Sequence, residues 1–150
     1  RLYNWYAVAG IHDTDPNTPN KELAPEGWHV PSYEEWITLR NFIFDSFCDG
    51  IRVSDKVAKA MASNTGWNSS AEWNAVGNNQ SLNNCSGFNA FPVGDRYGNY
   101  DGEGNYACFW SSTELANGRA KSVYLTYDSW DVNNCLCFRT PGFSVRFVKD

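Results

Sequence analysis

Cys135 and Cys137 are the one close pair of cysteines in this 150-residue chain. With a single residue between them, a strand would set both thiols on one face. The full set is Cys48, Cys85, Cys108, Cys135 and Cys137, an odd number, so at least one thiol is left over from any disulfide framework. The plainest expectation is unpaired thiols, with one disulfide or a metal or redox pair as alternatives, and no compartment follows from it. A second group runs from Asp95 to Asn105 and offers oxygens from Asp95, Asn99, Asp101, Glu103 and Asn105. It lacks the alternating ligands and closing Glu of an EF-hand loop. A glycine-rich turn closing a hairpin is therefore the expectation, with no cofactor required and calcium as the alternative. His12 and His29 have no partner at zinc-ligand spacing and sit in the N-terminal scaffold, so no Ser-His-Asp arrangement is suggested. Glu34 and Glu35 lie at a helix start, and no carboxylates pair as acid and base. The chain is expected not to be an enzyme.

Recognition chemistry is better represented. From Tyr124 to Pro141 the chain mixes Tyr, Asp, Trp, Asn, Cys, Thr and Arg around Leu125, Val132, Leu136 and Phe138. On strand alternation, Val123 and Leu125 face the core while Ser122, Tyr124 and Thr126 face out. Val132, Leu136 and Phe138 likewise point in, leaving Asn133, Cys135, Cys137 and Arg139 outside. The turn Tyr127-Asp128-Ser129-Trp130-Asp131 would project between these strands. Wet strand faces that serve only folding carry Thr, Lys or Glu. Tyr and Trp instead supply rigid contact area, and Asn, Asp and Ser adaptable hydrogen bonds. The competing reading is that an Asn64–Gly87 loop covers Trp130 and Tyr124.

These residues need a scaffold, and its signals run in order. Tyr3–Ala9 reads as an opening strand, followed by a loop marked by Asp15-Pro16, Thr18-Pro19 and Pro25-Glu26-Gly27. Ser32 and Glu35 form a capping box, and Trp36, Leu39, Ile43 and Phe47 recur at helical spacing. A shorter helix is expected from Ser54 or Asp55 through Ala62, with Val57, Ala58 and Met61 inward. Thirteen of the seventeen Asn fall between Asn64 and Asn134. They favour long ordered loops, since Asn tolerates left-handed backbone and makes local bonds. Trp67 and Trp73 would anchor the first of these. Strands are expected at Phe88–Pro92, Ala107–Ser112, Lys121–Thr126, Val132–Phe138 and Phe143–Val148. Helices first and strands later point to an α+β domain, two helices packed on an antiparallel sheet.

The length fits one domain spanning residues 1–150, and no repeat or linker interrupts it. A net charge of −5 and a pI near 4.9 argue against nucleic acid as partner. No window approaches the roughly twenty apolar residues of a membrane span, so no membrane insertion is expected. Arg1 is not a natural start, and the chain reads as the C-terminal domain of a longer protein.

Several blocks resemble the Fibrobacter succinogenes major paralogous domain. They are Leu2-Tyr-Asn-Trp-Tyr-Ala-Val8, Leu23-Ala-Pro-Glu-Gly-Trp-His-Val-Pro31, Glu34-Glu-Trp36, Ser86-Gly-Phe-Asn-Ala90, Phe109-Trp-Ser-Ser-Thr-Glu114 and Gly142-Phe-Ser-Val-Arg146. The resemblance implies a C-type-lectin-like fold, related to the formylglycine-generating type, on proteins outside the cell. The calcium signature by which lectins hold sugars is absent, and the Cys135-x-Cys137 flanks do not match the copper-handling cysteines of the formylglycine-generating relatives. The chain is similar as well to the variable proteins of diversity-generating retroelements, which use the same frame. Adenine-directed mutagenesis there turns Asn codons into Tyr, Asp, Ser, Cys, Phe, Thr, Arg and others. The stretch Tyr97–Pro141 holds that assortment beside Asn99, Asn105, Asn117, Asn133 and Asn134. Two departures stand out. Trp130 is not reachable from Asn by adenine changes alone. Phe147 stands where the paralogous domain often has Cys, which suggests a reducing or indifferent setting.

Together these readings give an expected ligand surface of Tyr97, Asn99, Tyr106, Cys108, Tyr124, Thr126, Asp128, Trp130, Asp131, Asn133, Asn134, Cys135, Cys137, Arg139 and Thr140. Its partner would be a protein or glycan on a cell surface, and its setting a bacterial surface or virion. A fixed-specificity domain for adhesion or polysaccharide binding is the alternative.

Overall fold

The computed structural model describes residues 1–15, 17–48 and 50–150; Pro16, one of the expected turn markers, lies outside them. In chain order the elements are α1 (Trp5–Val8), β1 (Trp28–His29), α2 (Tyr33–Phe44), β2 (Phe47–Cys48), β3 (Ile51–Arg52), α3 (Val57–Met61), a 3-10 turn (Gln80–Leu82), β4 (Asp95–Tyr97), β5 (Asn99–Asp101), β6 (Tyr106–Leu115), β7 (Arg119–Thr126), β8 (Asn133–Phe138) and β9 (Val148–Lys149). This is a mixed α+β architecture. The main sheet is antiparallel in the order β6-β7-β8, and β1-β9, β2-β3 and β4-β5 form two-stranded antiparallel pairs.

The main sheet is covered on both faces. Phe109, Val123 and Leu125 pack with Trp36, Ile43, Val57 and Met61 from α2 and α3. On the other face Cys108, Trp110 and Ala120 pack with Trp5 of α1 and with Phe143. A strand buried on two sides does not alternate apolar with polar, which is why β6 is buried continuously from Ala107 through Ser111. The buried indole N–H groups all find carbonyls or a hydroxyl. Trp5 donates to Ser111 O at 2.9 Å, Trp36 to Trp110 O at 3.3 Å, Trp110 to Tyr3 O at 2.8 Å and Trp67 to Ser63 Oγ at 3.1 Å.

The capping box at Ser32 and Glu35 is present, and α2 begins there as expected. It stops at Phe44, however, where Asp45 closes the last turn and the chain enters the β2–β3 hairpin. Phe47 therefore leaves the helical stripe and is exposed. The second helix lies within its expected span, with Val57, Ala58 and Met61 buried, and Lys59 is buried too. Lys59 reaches the carbonyls of Ala75, Asn78 and Asn79, so its ammonium holds the following loop.

Four expectations are corrected. Tyr3–Ala9 is not a strand: Asn4 caps the helix α1, and Tyr3 alone pairs, with Phe143. Phe88–Pro92 makes only a bridge at Ala90, and Phe143–Val148 pairs through isolated bridges at Phe143 and Ser144 before β9. Trp67 is buried as an anchor, but Trp73 is 81% exposed. The Asn-rich loops behave as the composition suggests, since Asn74, Asn79, Asn84 and Asn89 all adopt positive φ.

The cysteines are also corrected. Cys48 joins Cys85, Cys135 joins Cys137, and Cys108 alone is free and buried. Four of the five thiols are thus paired, against the expectation of unpaired thiols and beyond the one disulfide that was its alternative.

Candidate binding surface

The frame that carries the candidate surface is fixed by backbone bonds between distant blocks. Ser144 is clamped to β6, its N–H donating to Cys108 O at 3.0 Å and its carbonyl accepting from Trp110 N at 3.1 Å. Phe143 stacks on Trp110 with ring centres 4.4 Å apart. Ser111 Oγ donates to Lys121 O at 2.8 Å, tying β6 to β7, and Thr113 Oγ1 accepts from Tyr33 N at 2.9 Å, tying β6 to the start of α2. The matching blocks at 109–114 and 142–146 are thus the two walls of one joint.

Against this frame, three exposed pieces come from residues 95–140. The first is the β4–β5 hairpin, whose tip Gly98 has φ of +79° and whose register pairs Tyr97 with Asn99. The expected glycine-rich turn holds in part: residues 95–101 are themselves a short two-stranded hairpin, where the sequence reading expects turn. Tyr97 (69%), Asn99 and Tyr100 are exposed, with the Arg96 guanidinium 5.3 Å over the Tyr100 ring. Asp95 faces Asp101 across the hairpin, and burial together with that neighbouring charge pushes its carboxyl above the usual range. Tyr106 lies half-buried beneath it, its phenol pushed up by burial and then by Asp95 and Asp101.

The second piece is the turn after β7. The Asn-rich loop and α3 grip its backbone: from the loop Val76 N donates to Ser129 O at 3.1 Å and Gly77 N to Tyr127 O at 2.6 Å, and from α3 Ala58 N donates to Trp130 O at 2.9 Å. The loop supports the turn without covering it, and the Trp130 side chain stays 45% exposed beside exposed Asp128. Asp131 points the other way. It takes Arg40 Nε at 3.1 Å and Val132 N at 2.8 Å, a half-buried ion pair that fixes the turn to α2.

The third piece is β8, the open edge of the main sheet, and here the expected facing is reversed. Asn134, Leu136 (52%) and Phe138 (56%) are exposed, whereas Asn133, Cys135 and Cys137 turn toward the α1 side. Cys137 packs at the margin of the Trp5–Trp110 cluster, with its sulfur 3.6 Å from Ser122 Oγ. The expectation treated one sheet face as wet, yet both faces are covered under β6 and β7. Ser122 is buried for the same reason, and Tyr124 is half-buried against the Trp110 cluster, with Thr126 half-buried.

Several expected surface residues are therefore structural. Cys108 is buried, and burial pushes its thiol up to about 12. Arg139 lies 4.9 Å over the Trp5 ring, pairs with Glu114 and donates to Leu115 O at 3.1 Å. Asn133 bonds back to Asp131 O at 3.3 Å. Thr140 is exposed at the end of β8. Tyr100, Leu136 and Phe138 were missed by the sequence reading. The cysteines held a signal for the last two, because Cys is among the residue types most often buried and argues for an inward face.

His29 supplies a further grouping that the sequence did not announce. Its Nδ1 lies 2.7 Å from Asp150 Oδ1 and its Nε2 2.8 Å from Glu35 Oε1. Hydrogen bonding to Asp150, then to Glu35, pushes its pKa above the ordinary 6.5. The pair β1–β9 and the capping box are joined through this ring.

Fold and site together define an α+β module closed by two disulfides, with exposed rings on its hairpin, turn and edge strand. The chain belongs to the Fibrobacter succinogenes major domain family, whose profile matches residues 1–149. No curated protein and no solved structure matches it.

Proposed function

We propose that the chain is a non-enzymatic binding module whose ligand surface is formed by Tyr97, Asn99 and Tyr100 of the hairpin, Asp128 and Trp130 of the turn, and Asn134, Leu136 and Phe138 of β8. The observation that carries this reading is the exposure of five large apolar side chains (Tyr97, Tyr100, Trp130, Leu136 and Phe138) within one stretch that a buried frame holds rigid. Exposed aromatic and aliphatic side chains held by a rigid frame are the ingredients of a recognition site. A binding role is favoured over catalysis because the chemically capable groups are engaged elsewhere: both ring nitrogens of His29 face carboxylates, and Cys135 and Cys137 are bonded to each other.

The finer reading is a C-type-lectin-like fold whose 97–141 stretch a retroelement diversifies, displayed on a bacterial surface or virion and directed to a protein or glycan. Its support is the resemblance of the frame, the assortment of residue types reachable from Asn codons, and the exposure of Asn134, Leu136 and Phe138 on one side of β8, where substitution meets solvent. Two disulfides suit an oxidising location outside the cytosol. A fixed-specificity domain for adhesion or polysaccharide capture is favoured instead by the exposed rings alone, since these would stack on sugars.

The test is to sequence the gene's flanks and many copies of its 3′ end from the source population. A nearby repeat differing at adenines, with changes confined to codons for exposed residues between Tyr97 and Pro141, is expected. An invariant 3′ end without a repeat would sink diversification and leave the fixed-specificity module. Binding is then tested on glycan and protein arrays, where Trp130→Ala should abolish the signal; an unchanged signal would overturn the assigned surface.

A further inference from the structure

A second concave site lies away from this surface and shares no residue with it. It is a groove of about 760 Å³ between α2 and the segment leading into β9, within the roughly 300–1,000 Å³ of ligand pockets. Leu39, Phe42, Phe88, Phe147 and Val148 give it apolar walls, and Phe42 stands exposed at its rim.

Two charged side chains border the groove, and they are not equivalent. Glu35 is spent: Oε1 faces His29 at 2.8 Å, and Oε2 accepts from Ser32 N and Ser32 Oγ at 2.8 Å each. Its charge is answered by the imidazole, whose pKa is raised by the same contacts. Arg146 is different. Its guanidinium is held over the rings of Phe88 at 4.9 Å and Phe109 at 5.9 Å, and Nη2 donates to Phe88 O at 3.1 Å and Asn89 O at 3.3 Å. Those bonds orient the fork but leave the charge uncompensated, because no carboxylate pairs with Arg146 among the described residues. An oriented, stacked guanidinium beside an apolar groove matches one chemical pattern, a planar anion attached to a hydrophobic body.

We infer that this groove binds an amphipathic carboxylate, a compound whose single apolar ring or short acyl chain lies on Leu39, Phe42 and Phe88 while its carboxylate meets Arg146. The apolar body supplies most of the affinity and the carboxylate the selectivity. No bond is made or broken; the groove holds a small ligand of its own, apart from the edge-strand surface.

The test uses the intact chain and two probes of nearly identical shape, 3-phenylpropionate and its neutral amide, followed by amide chemical shifts in NMR titrations. The acid should bind about tenfold more tightly than the amide, the value of one charge-assisted hydrogen-bonded contact, with shifts centred on Leu39, Phe88 and Val148. Arg146→Met keeps a stem to pack on Phe88 and should erase the preference, while Arg146→Lys should retain part of it. Phe42→Ala removes an exposed side chain and should weaken acid and amide alike without altering the fold. Equal binding of the two probes, shifts mapping elsewhere, or no binding of either at millimolar concentration would each overturn the inference. Near-UV circular dichroism on each variant separates lost binding from lost structure.

Discussion

Strands β6 and β8 lie two apart in the same sheet and live in opposite environments. β6 is covered on both faces, bonded to β7 on one side and to Ser144 on the other. Each of its residues from Ala107 to Ser111 meets packed atoms or a fixed hydrogen bond. β8 is bonded on one side only, and its outward residues Asn134, Leu136 and Phe138 meet water. The difference teaches where sequence is constrained. A change in β6 must be absorbed by a close-packed interior, whereas a change at an outward β8 position alters the surface and little else. An invariant frame beside a permissive edge is what a module needs if its specificity is to change while its fold does not.

The largest effect should come from the middle of the frame. Trp110→Ala removes a wholly buried indole that stacks on Phe143 and donates to Tyr3 O, and should cost about 3–5 kcal/mol in urea unfolding. Phe138→Ala in β8 should cost less than about 1 kcal/mol, as for exposed sites generally. Equal losses would break the comparison. The disulfides come next and divide the same way. Cys48–Cys85 closes a 37-residue separation and its removal should cost about 2–4 kcal/mol. Cys135–Cys137 spans one residue, restrains the unfolded chain far less, and its replacement by two Ala should cost under about 1 kcal/mol. Thermal melts of the two double mutants decide between them, and a larger loss at Cys135 and Cys137 would mean that β8 is part of the frame.

How much of this was legible in the sequence follows from the physics of each element. The α2 start was readable because a capping box is local, and the α+β class because the helix signals precede the strand signals. The glycine-rich turn at 95–105 was readable from composition, but the pairing of Asp95–Tyr97 with Asn99–Asp101 was not, because three-residue strands are too short to show alternation. Facing along β7 and β8 was not, because alternation reports only a difference between two faces, and here Trp5 and Phe143 arrive from the chain's two ends to cover the second face. The Tyr3–Ala9 segment looked like a strand because it is rich in aromatics, yet it forms a one-turn helix capped by Asn4 that buries Trp5. Cys48 meets Cys85 across a loop without periodicity, so no spacing rule could announce the pair. Arg139 and Asp131 had surface chemistry by type and became struts through Trp5, Glu114 and Arg40, partners that only the fold brings near.

The turn sharpens the comparison within a few residues. Tyr124 leans on the Trp110 cluster, and Tyr124→Ala should cost about 2–3 kcal/mol through the cavity it leaves. Trp130 is anchored by its carbonyl and not by its ring, since Ala58 N bonds to Trp130 O. Trp130→Ala should therefore shift stability by less than about 1 kcal/mol while removing a contact residue. Melting temperature and array binding together separate the two: loss of stability at Tyr124 and loss of binding at Trp130. A destabilised Trp130→Ala would move that ring from surface to frame.

The smallest effect is expected at the frame's margin, where the His29 ring holds β1 and β9 to the α2 capping box. His29 is raised above 6.5 by Asp150 and Glu35, so its contribution is complete below pH 6.5 and fades as pH rises through the folded value. Glu35 is lowered below 4.5, first by the Ser32 N–H and then by His29, so its contribution is complete above pH 4.5 and is lost as pH falls through its folded value. The latch is then tightest between pH 4.5 and 6.5. Exposure keeps the effect local, so it belongs in hydrogen exchange and not in a global melt. The Asp150 amide, which donates to Gly27 O, should show greater protection, corrected for intrinsic exchange, at pH 5.5 than at pH 8. His29→Gln should flatten that difference while leaving β6 amides unchanged. A matching pH response in β6 would show that the margin and the frame open as one unit, and the boundary drawn between them would have to move.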